Sequence, residues 1–226
     1  MKYKAILLDI DNTLYDYENT HTKALAKVVE FCATKFVISK KEIIQAYSVA
    51  RKKVHIELSE TASSHNRLLY IQKMLEILEV NSLQFSLEIY ELYWNKFLEN
   101  IEVFDGVYEF LKKYKHKICL VTDLTAHIQH RKIQKLKLDK YIKYVVTSEE
   151  AGKEKPHPYI FMLSLEKLNL TCKDVCMIGD SFKKDILGAN NLGIKSIWLN
   201  EKQKVESYDN NMVTEVKSFK EILELV

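Results

Sequence analysis

The chain has 226 residues, enough for one large domain or two small ones and for a core that needs no disulfide staples. Hydrophobic residues make up 47% and charged residues 29%, which excludes a disordered or fibrous chain. The net charge of +3 is spread over scattered basic residues, so the footprint of a nucleic-acid-binding surface is missing.

Residues 3–9 read Tyr-Lys-Ala-Ile-Leu-Leu-Asp, and four consecutive apolar residues predict a strand buried on both faces, as in a parallel sheet. Residues 16–102 read as helical throughout, and residues 1–105 contain no Gly or Pro. Ala24, Val28 and Phe31 suggest a first helix. Ser39 with Glu42 forms a capping box for a second, whose apolar stripe is Ile43, Ala46, Tyr47 and Ala50. Ile71, Met74, Leu75 and Leu78 mark a third, and Tyr90, Tyr93, Trp94 and Phe97 a fourth. Four such helices are enough to pack on one another.

All 5 glycines and both prolines lie between Gly106 and Gly193, and there the pattern changes. Strands are predicted at 117–122, 144–147, 175–179 and 196–199, alternating with helices at 126–137, 158–168 and 184–192. A last strand at 212–216 and a helix at 219–225 follow. Strand–helix alternation argues for a parallel sheet covered by helices. The predicted architecture is an α/β, doubly wound core made of 1–15 and 103–226, interrupted by a four-helix insertion over 16–102.

Cys32, Cys119, Cys172 and Cys176 do not form a two-residue-spaced pair, so they read as inert thiols. Met1–Asp9 holds too short an apolar run for a signal peptide, and no stretch approaches a membrane span. The expectation is a soluble, cytoplasmic protein with no membrane partner. Its oligomeric state is not legible.

Four features fall at the C-terminal ends of predicted strands, the edge where open α/β sheets bind ligands. Asp9-Ile10-Asp11-Asn12-Thr13 presents two carboxyl groups to one side. Thr122 ends an apolar strand with a hydroxyl. Lys155 stands beside both prolines in Gly152-Lys153-Glu154-Lys155-Pro156-His157-Pro158, with Lys153 as its rival. Gly179-Asp180 is followed by Asp185. Carboxylates, a hydroxyl and a lysine in this order suit a hard cation, Mg²⁺ above all, together with a phosphoryl group.

On these residues the chain resembles the haloacid dehalogenase superfamily over essentially its whole length, and the helical insertion looks like that family's cap. The resemblance implies a Rossmann-like core and a Mg²⁺-dependent phosphatase acting on a small phosphomonoester through an aspartyl-phosphate. Asp9 would be the nucleophile and Asp11 the general acid/base. Thr122 and Lys155 would hold the phosphoryl oxygens. The metal would be bound by Asp9, the backbone carbonyl of Asp11, and Asp180, with Asp185 in support. Lys155 is favoured over Lys153 because it directly precedes Pro156, as in the family pattern.

Asp123 departs from that pattern, since many relatives carry Asn after the hydroxyl residue; it is expected to face away from the phosphate or toward the cap. A dehalogenase needs no leaving-group acid, so Asp11 counts against that reading. A sugar-phosphate mutase would keep all the motifs and stands as the alternative. Candidates for substrate contact are Thr13, Tyr15, Asp123, His65 and Arg67, with Tyr17 and His21 near the hinge; His127 and His130 read as surface residues. The substrate would be a sugar phosphate, a nucleotide or a phosphoglycolate-like metabolite.

Overall fold

The computed structural model describes residues 3–225. Its first strand, β1 (Ala5–Leu8), is buried along its whole length, as the continuous apolar run requires. Four helices follow: α1 (Tyr17–Phe36), α2 (Lys40–Glu57), α3 (Arg67–Ile77) and α4 (Ser82–Asn100). The Ser39 hydroxyl accepts the Glu42 N–H, and the Glu42 carboxylate accepts the Ser39 N–H in return, so the predicted capping box starts α2. Tyr17–Ile101 forms one contact unit. Its interior holds Ile43 and Tyr47 of α2, Met74 of α3, and Tyr93 and Phe97 of α4, all at helical spacing.

The second unit combines the chain up to Asp16 with the chain from Glu102 onward. After β1 it continues with α5 (Val107–Lys113), preceded by Gly106 at φ 86°, a left-handed conformation that glycine adopts without strain. Then come β2 (Ile118–Thr122), α6 (Ala126–Lys135), β3 (Tyr144–Thr147), α7 (Ser148–Ala151), α8 (Pro158–Leu168) and β4 (Val175–Gly179). A wide helical turn, Phe182–Leu187, runs into α9 (Gly188–Asn190), followed by β5 (Lys195–Leu199), β6 (Val213–Val216) and α10 (Phe219–Leu225). The predicted strands all form. α5 and α7 were not predicted. The helix expected over 184–192 starts earlier and is wider, because Ser181 O accepts from both Asp185 N and Ile186 N.

The sheet order is β3-β2-β1-β4-β5-β6, and every neighbouring pair is parallel. The chain leaves β1 toward β2 and β3, then returns to the other side of β1 for β4. This doubly wound order puts its switch point beside β1, where open α/β sheets form their ligand crevice. Leu7, Cys119, Val121, Val146, Phe161 and Met177 pack one face of the sheet.

Candidate active site

Asp9 directly follows β1 and is buried. Its Oδ1 lies 2.6 Å from Lys155 Nζ, and its Oδ2 accepts the Thr13 hydroxyl at 2.9 Å. The same hydroxyl oxygen accepts the Asp180 N–H at 3.1 Å, so Thr13 fastens the loop after β1 to the loop after β4. Trp198 Nε1 donates to the Asp180 carbonyl at 3.0 Å and fixes that loop from β5. Lys155 Nζ also sits 2.6 Å from Asp185 Oδ1 and 3.0 Å from the Val121 carbonyl. Of the two candidate lysines, Lys155 is therefore the one on Asp9. Asp185 Oδ2 accepts the Ser181 N–H, and a Cβ at Gly179 would run into its carboxyl group. Glycine is required at 179 for this close approach.

Asp9, Asp180 and Asp185 each offer an oxygen, and these atoms lie within 4.8 Å of one another. Burial pushes Asp9 well above the usual carboxylate range; Asp185 and Asp180 add to this and Lys155 opposes it. Burial, helped by Asp185, raises Asp180 to about 7. For Lys155, burial favours loss of the proton, but Asp185 and Asp9 outweigh it and hold its pKa well above the ordinary lysine value. The cluster carries more negative charge than one ammonium offsets. An all-oxygen donor set with excess negative charge fits a hard divalent cation such as Mg²⁺.

Asp11 is held quite differently. Its carboxylate lies outside the cluster, with Lys132 Nζ at 2.7 and 2.8 Å from its two oxygens and the Tyr15 hydroxyl donating to Oδ1. Burial tends to raise its pKa, but Lys132, Tyr15 and Gln129 together bring it below the ordinary value. Its side chain remains 23% exposed, so a substrate atom can still reach it. Gln129 Nε2 lies 2.7 Å from the Thr122 hydroxyl oxygen, 2.6 Å from the Asp123 carbonyl and 3.4 Å from Asp11 Oδ2. The sequence reading missed Gln129 and Lys132. Thr13 and Tyr15, expected near a substrate, are fully buried and direct their hydroxyls at Asp9 and Asp11.

Asp123 turns to the neighbouring loops. Its Oδ1 accepts the Lys155 N–H at 3.0 Å and its Oδ2 takes the Lys184 ammonium at 2.7 Å; Lys184 also pairs with Glu154 at 3.1 Å. A cavity of about 90 Å³ adjoins Asp180 and is lined also by Asn12, Asp16, Phe104, Asn200 and Lys204.

In the helical unit, Arg67 opens α3 and is buried rather than lying on a loop. Its guanidinium stands 5.2–5.9 Å from the ring centres of Tyr17, Tyr70, Tyr93 and Trp94, and it donates to the Tyr17 hydroxyl and the His65 carbonyl. His65 is half-buried, edge-on to His55. His21 is buried, with Nδ1 2.7 Å from the Tyr93 hydroxyl. Among the described residues, no helix is long and apolar enough to cross a membrane.

Comparison with known proteins identifies the family. A family model described as haloacid dehalogenase-like hydrolase matches residues 6–199. The ribulose-1,5-bisphosphate 5-phosphatase of Halopiger xanaduensis is 32% identical over 199 residues, 85% of this chain and 83% of that protein. The glyceraldehyde 3-phosphate phosphatase of Methanothermobacter thermautotrophicus is 28% identical, covering 97% of this chain and 99% of its own length. Among solved structures, a phosphatase of the same superfamily from Thermococcus onnurineus superposes with a TM-score of 0.73 at 23% identity, covering 98% of this chain and 97% of that one. The chain belongs to the haloacid dehalogenase-like hydrolases, with their Rossmann-like α/β fold.

Proposed function

We propose that this hydrolase is a phosphatase that cleaves a small phosphomonoester through a phosphorylated Asp9. The observation that carries the reading is the different holding of two carboxylates two residues apart. Asp9 is locked by Thr13 and Lys155 within the acidic cluster, whereas Asp11 stands apart and partly exposed. That division suits a nucleophile and a proton carrier.

In the first step an Asp9 oxygen bonds to phosphorus as the bond to the leaving oxygen breaks, and Asp11, whose lowered pKa the approaching phosphoryl charge raises so that it takes up a proton, passes that proton to the leaving oxygen. In the second, a water oxygen attacks the same phosphorus and its proton passes to Asp11. The bond to Asp9 breaks, releasing inorganic phosphate and restoring both carboxyl groups. The Lys155 ammonium offsets the charge that would otherwise repel a carboxylate from a phosphate, and Thr122 donates to a phosphoryl oxygen. Mg²⁺, held by Asp9, Asp180 and the Asp11 carbonyl with Asp185 in support, would neutralise phosphoryl charge. Each contribution matters because phosphate-monoester hydrolysis is among the slowest uncatalysed reactions.

The relatives named above are phosphatases of small sugar phosphates by their names, which supports a compact phosphorylated metabolite as substrate. A phosphate-release screen over phosphomonoesters, with and without Mg²⁺ and with Asp9→Asn as blank, tests the reading. Metal-dependent phosphate release that vanishes in Asp9→Asn is expected. Isomerisation of a sugar phosphate without phosphate release would instead establish the mutase.

A further inference from the structure

Two lysines are buried among the described residues, Lys155 and Lys132, and each bears on one carboxylate of Asp9-Ile10-Asp11. Lys155 belongs to the phosphoryl site. Lys132 has no place in the steps above. It comes from α6, is fully buried, and puts its ammonium against both Asp11 oxygens at 2.7 and 2.8 Å. Its ammonium is taken up by Asp11, and burying a lysine's charge is costly unless it is paired. The partner here is a carboxylate that would otherwise stand beside three others competing for the same cation.

We propose that Lys132 is a positioning residue that keeps Asp11 out of the acidic cluster and fixes where its carboxylate stands. Asp9 and Asp11 are chemically identical and two residues apart. What separates their tasks is the cation each faces, Lys155 for one and Lys132 for the other. Gln129, one turn earlier on α6, supports the same arrangement by linking Asp11 Oδ2 to Thr122. The inference rests on the phosphatase reading above.

The experiment is a double-mutant cycle between Lys132→Met and Asp11→Asn. Lys132→Met alone is expected to lower kcat toward an alkyl phosphate by about 10²-fold, the scale of one acid–base contribution, with little change in KM. p-Nitrophenyl phosphate has a leaving group that needs no proton, so the variant should release a burst of about one nitrophenolate per enzyme and then turn over slowly. In the Asp11→Asn background, Lys132→Met should cost less than about threefold, because its effect passes through Asp11. Lys132→Arg should recover most of the rate. If Lys132→Met alone does not fold, Lys132→Gln takes its place, and the double variant, with both charges gone, completes the cycle. An equal loss in both backgrounds overturns the inference while leaving the phosphatase reading intact. An active Asp9→Asn enzyme overturns that reading first.

Discussion

Asp123 Oδ1 accepts the backbone N–H of Lys155 at 3.0 Å, so the residue after the β2 hydroxyl fixes the loop that carries the lysine on Asp9. Its other oxygen is matched by Lys184, 2.7 Å away on the turn that also carries Asp185. One carboxylate thus ties three of the four motif segments together. Asp123→Ala should lower kcat by about 10–100-fold, the scale expected when a catalytic group shifts by about an ångström. Asp123→Asn keeps an oxygen for the Lys155 N–H and should lose less than about tenfold. Steady-state phosphate release measures both, and equal losses would show that the amide contact is not what matters.

Lys155 stands between Asp9 and Asp185 at 2.6 Å from each. Removing a partner of a buried ion pair leaves uncompensated charge and costs about 3–5 kcal/mol when nothing replaces it. Lys155→Met should therefore abolish activity and lower the melting temperature in metal-free buffer. Divalent cation should restore part of that stability, because a ligand that binds only the folded state stabilises it. The gain in Tm on adding Mg²⁺ is expected to be larger for Lys155→Met than for the wild type. A smaller gain would mean that lysine and metal do not balance the same charge.

Most of this architecture was legible because parallel strands are buried on both faces and read as unbroken apolar runs. Ile118–Thr122 and Val175–Gly179 are of this kind, and the site residues simply follow them. Lys132 was not read, although a signal existed. Ile128, Lys132 and Leu136 follow one another at four-residue spacing on the buried face of the α6 segment, and a lysine in such a row needs an explanation. In a chain with 34 basic residues, a single lysine on a helix carries little signal by itself. The wide turn at Phe182–Leu187 depends on two N–H groups sharing the Ser181 carbonyl, which leaves no periodic trace in the sequence. Arg67 sits in the least apolar part of the helical segment, but Tyr17, Tyr93 and Trp94 bring their rings to it from distant helices.

Cysteine reactivity gives a simple check on the packing. Burial pushes the Cys119 thiol up to about 12 and Cys32 to about 11, so neither forms thiolate near neutral pH. Cys176 is fully buried, while Cys172 is partly exposed. A thiol reagent at pH 8 should modify one cysteine quickly in the native protein and all four in denaturant, with Cys172→Ser removing the fast phase. Two or more fast thiols in the native protein would contradict the packing around α1, β2 or β4.

His21 makes the stability of the helical unit depend on pH. Its ring is stacked on Tyr17, tilted against Tyr47 and Tyr93, and hydrogen-bonded to the Tyr93 hydroxyl. Burial, with Arg51 adding repulsion, lowers its pKa from 6.5 to about 4. The folded state therefore keeps the imidazole neutral where the unfolded chain would protonate it. Between pH 6.5 and 4 the unfolded state binds the extra proton, so stability is fully present above pH 6.5 and falls as the pH drops through this window. A shift of this size corresponds to roughly 3 kcal/mol once the pH reaches about 4, or about 6–12 °C in Tm for a chain of this length. Carboxylates titrate in the same range, so the informative quantity is the difference between wild type and His21→Gln. That difference should move in favour of the variant by several degrees between pH 7 and pH 4. A constant difference would show that His21 accepts its proton in the folded state as readily as in the unfolded chain.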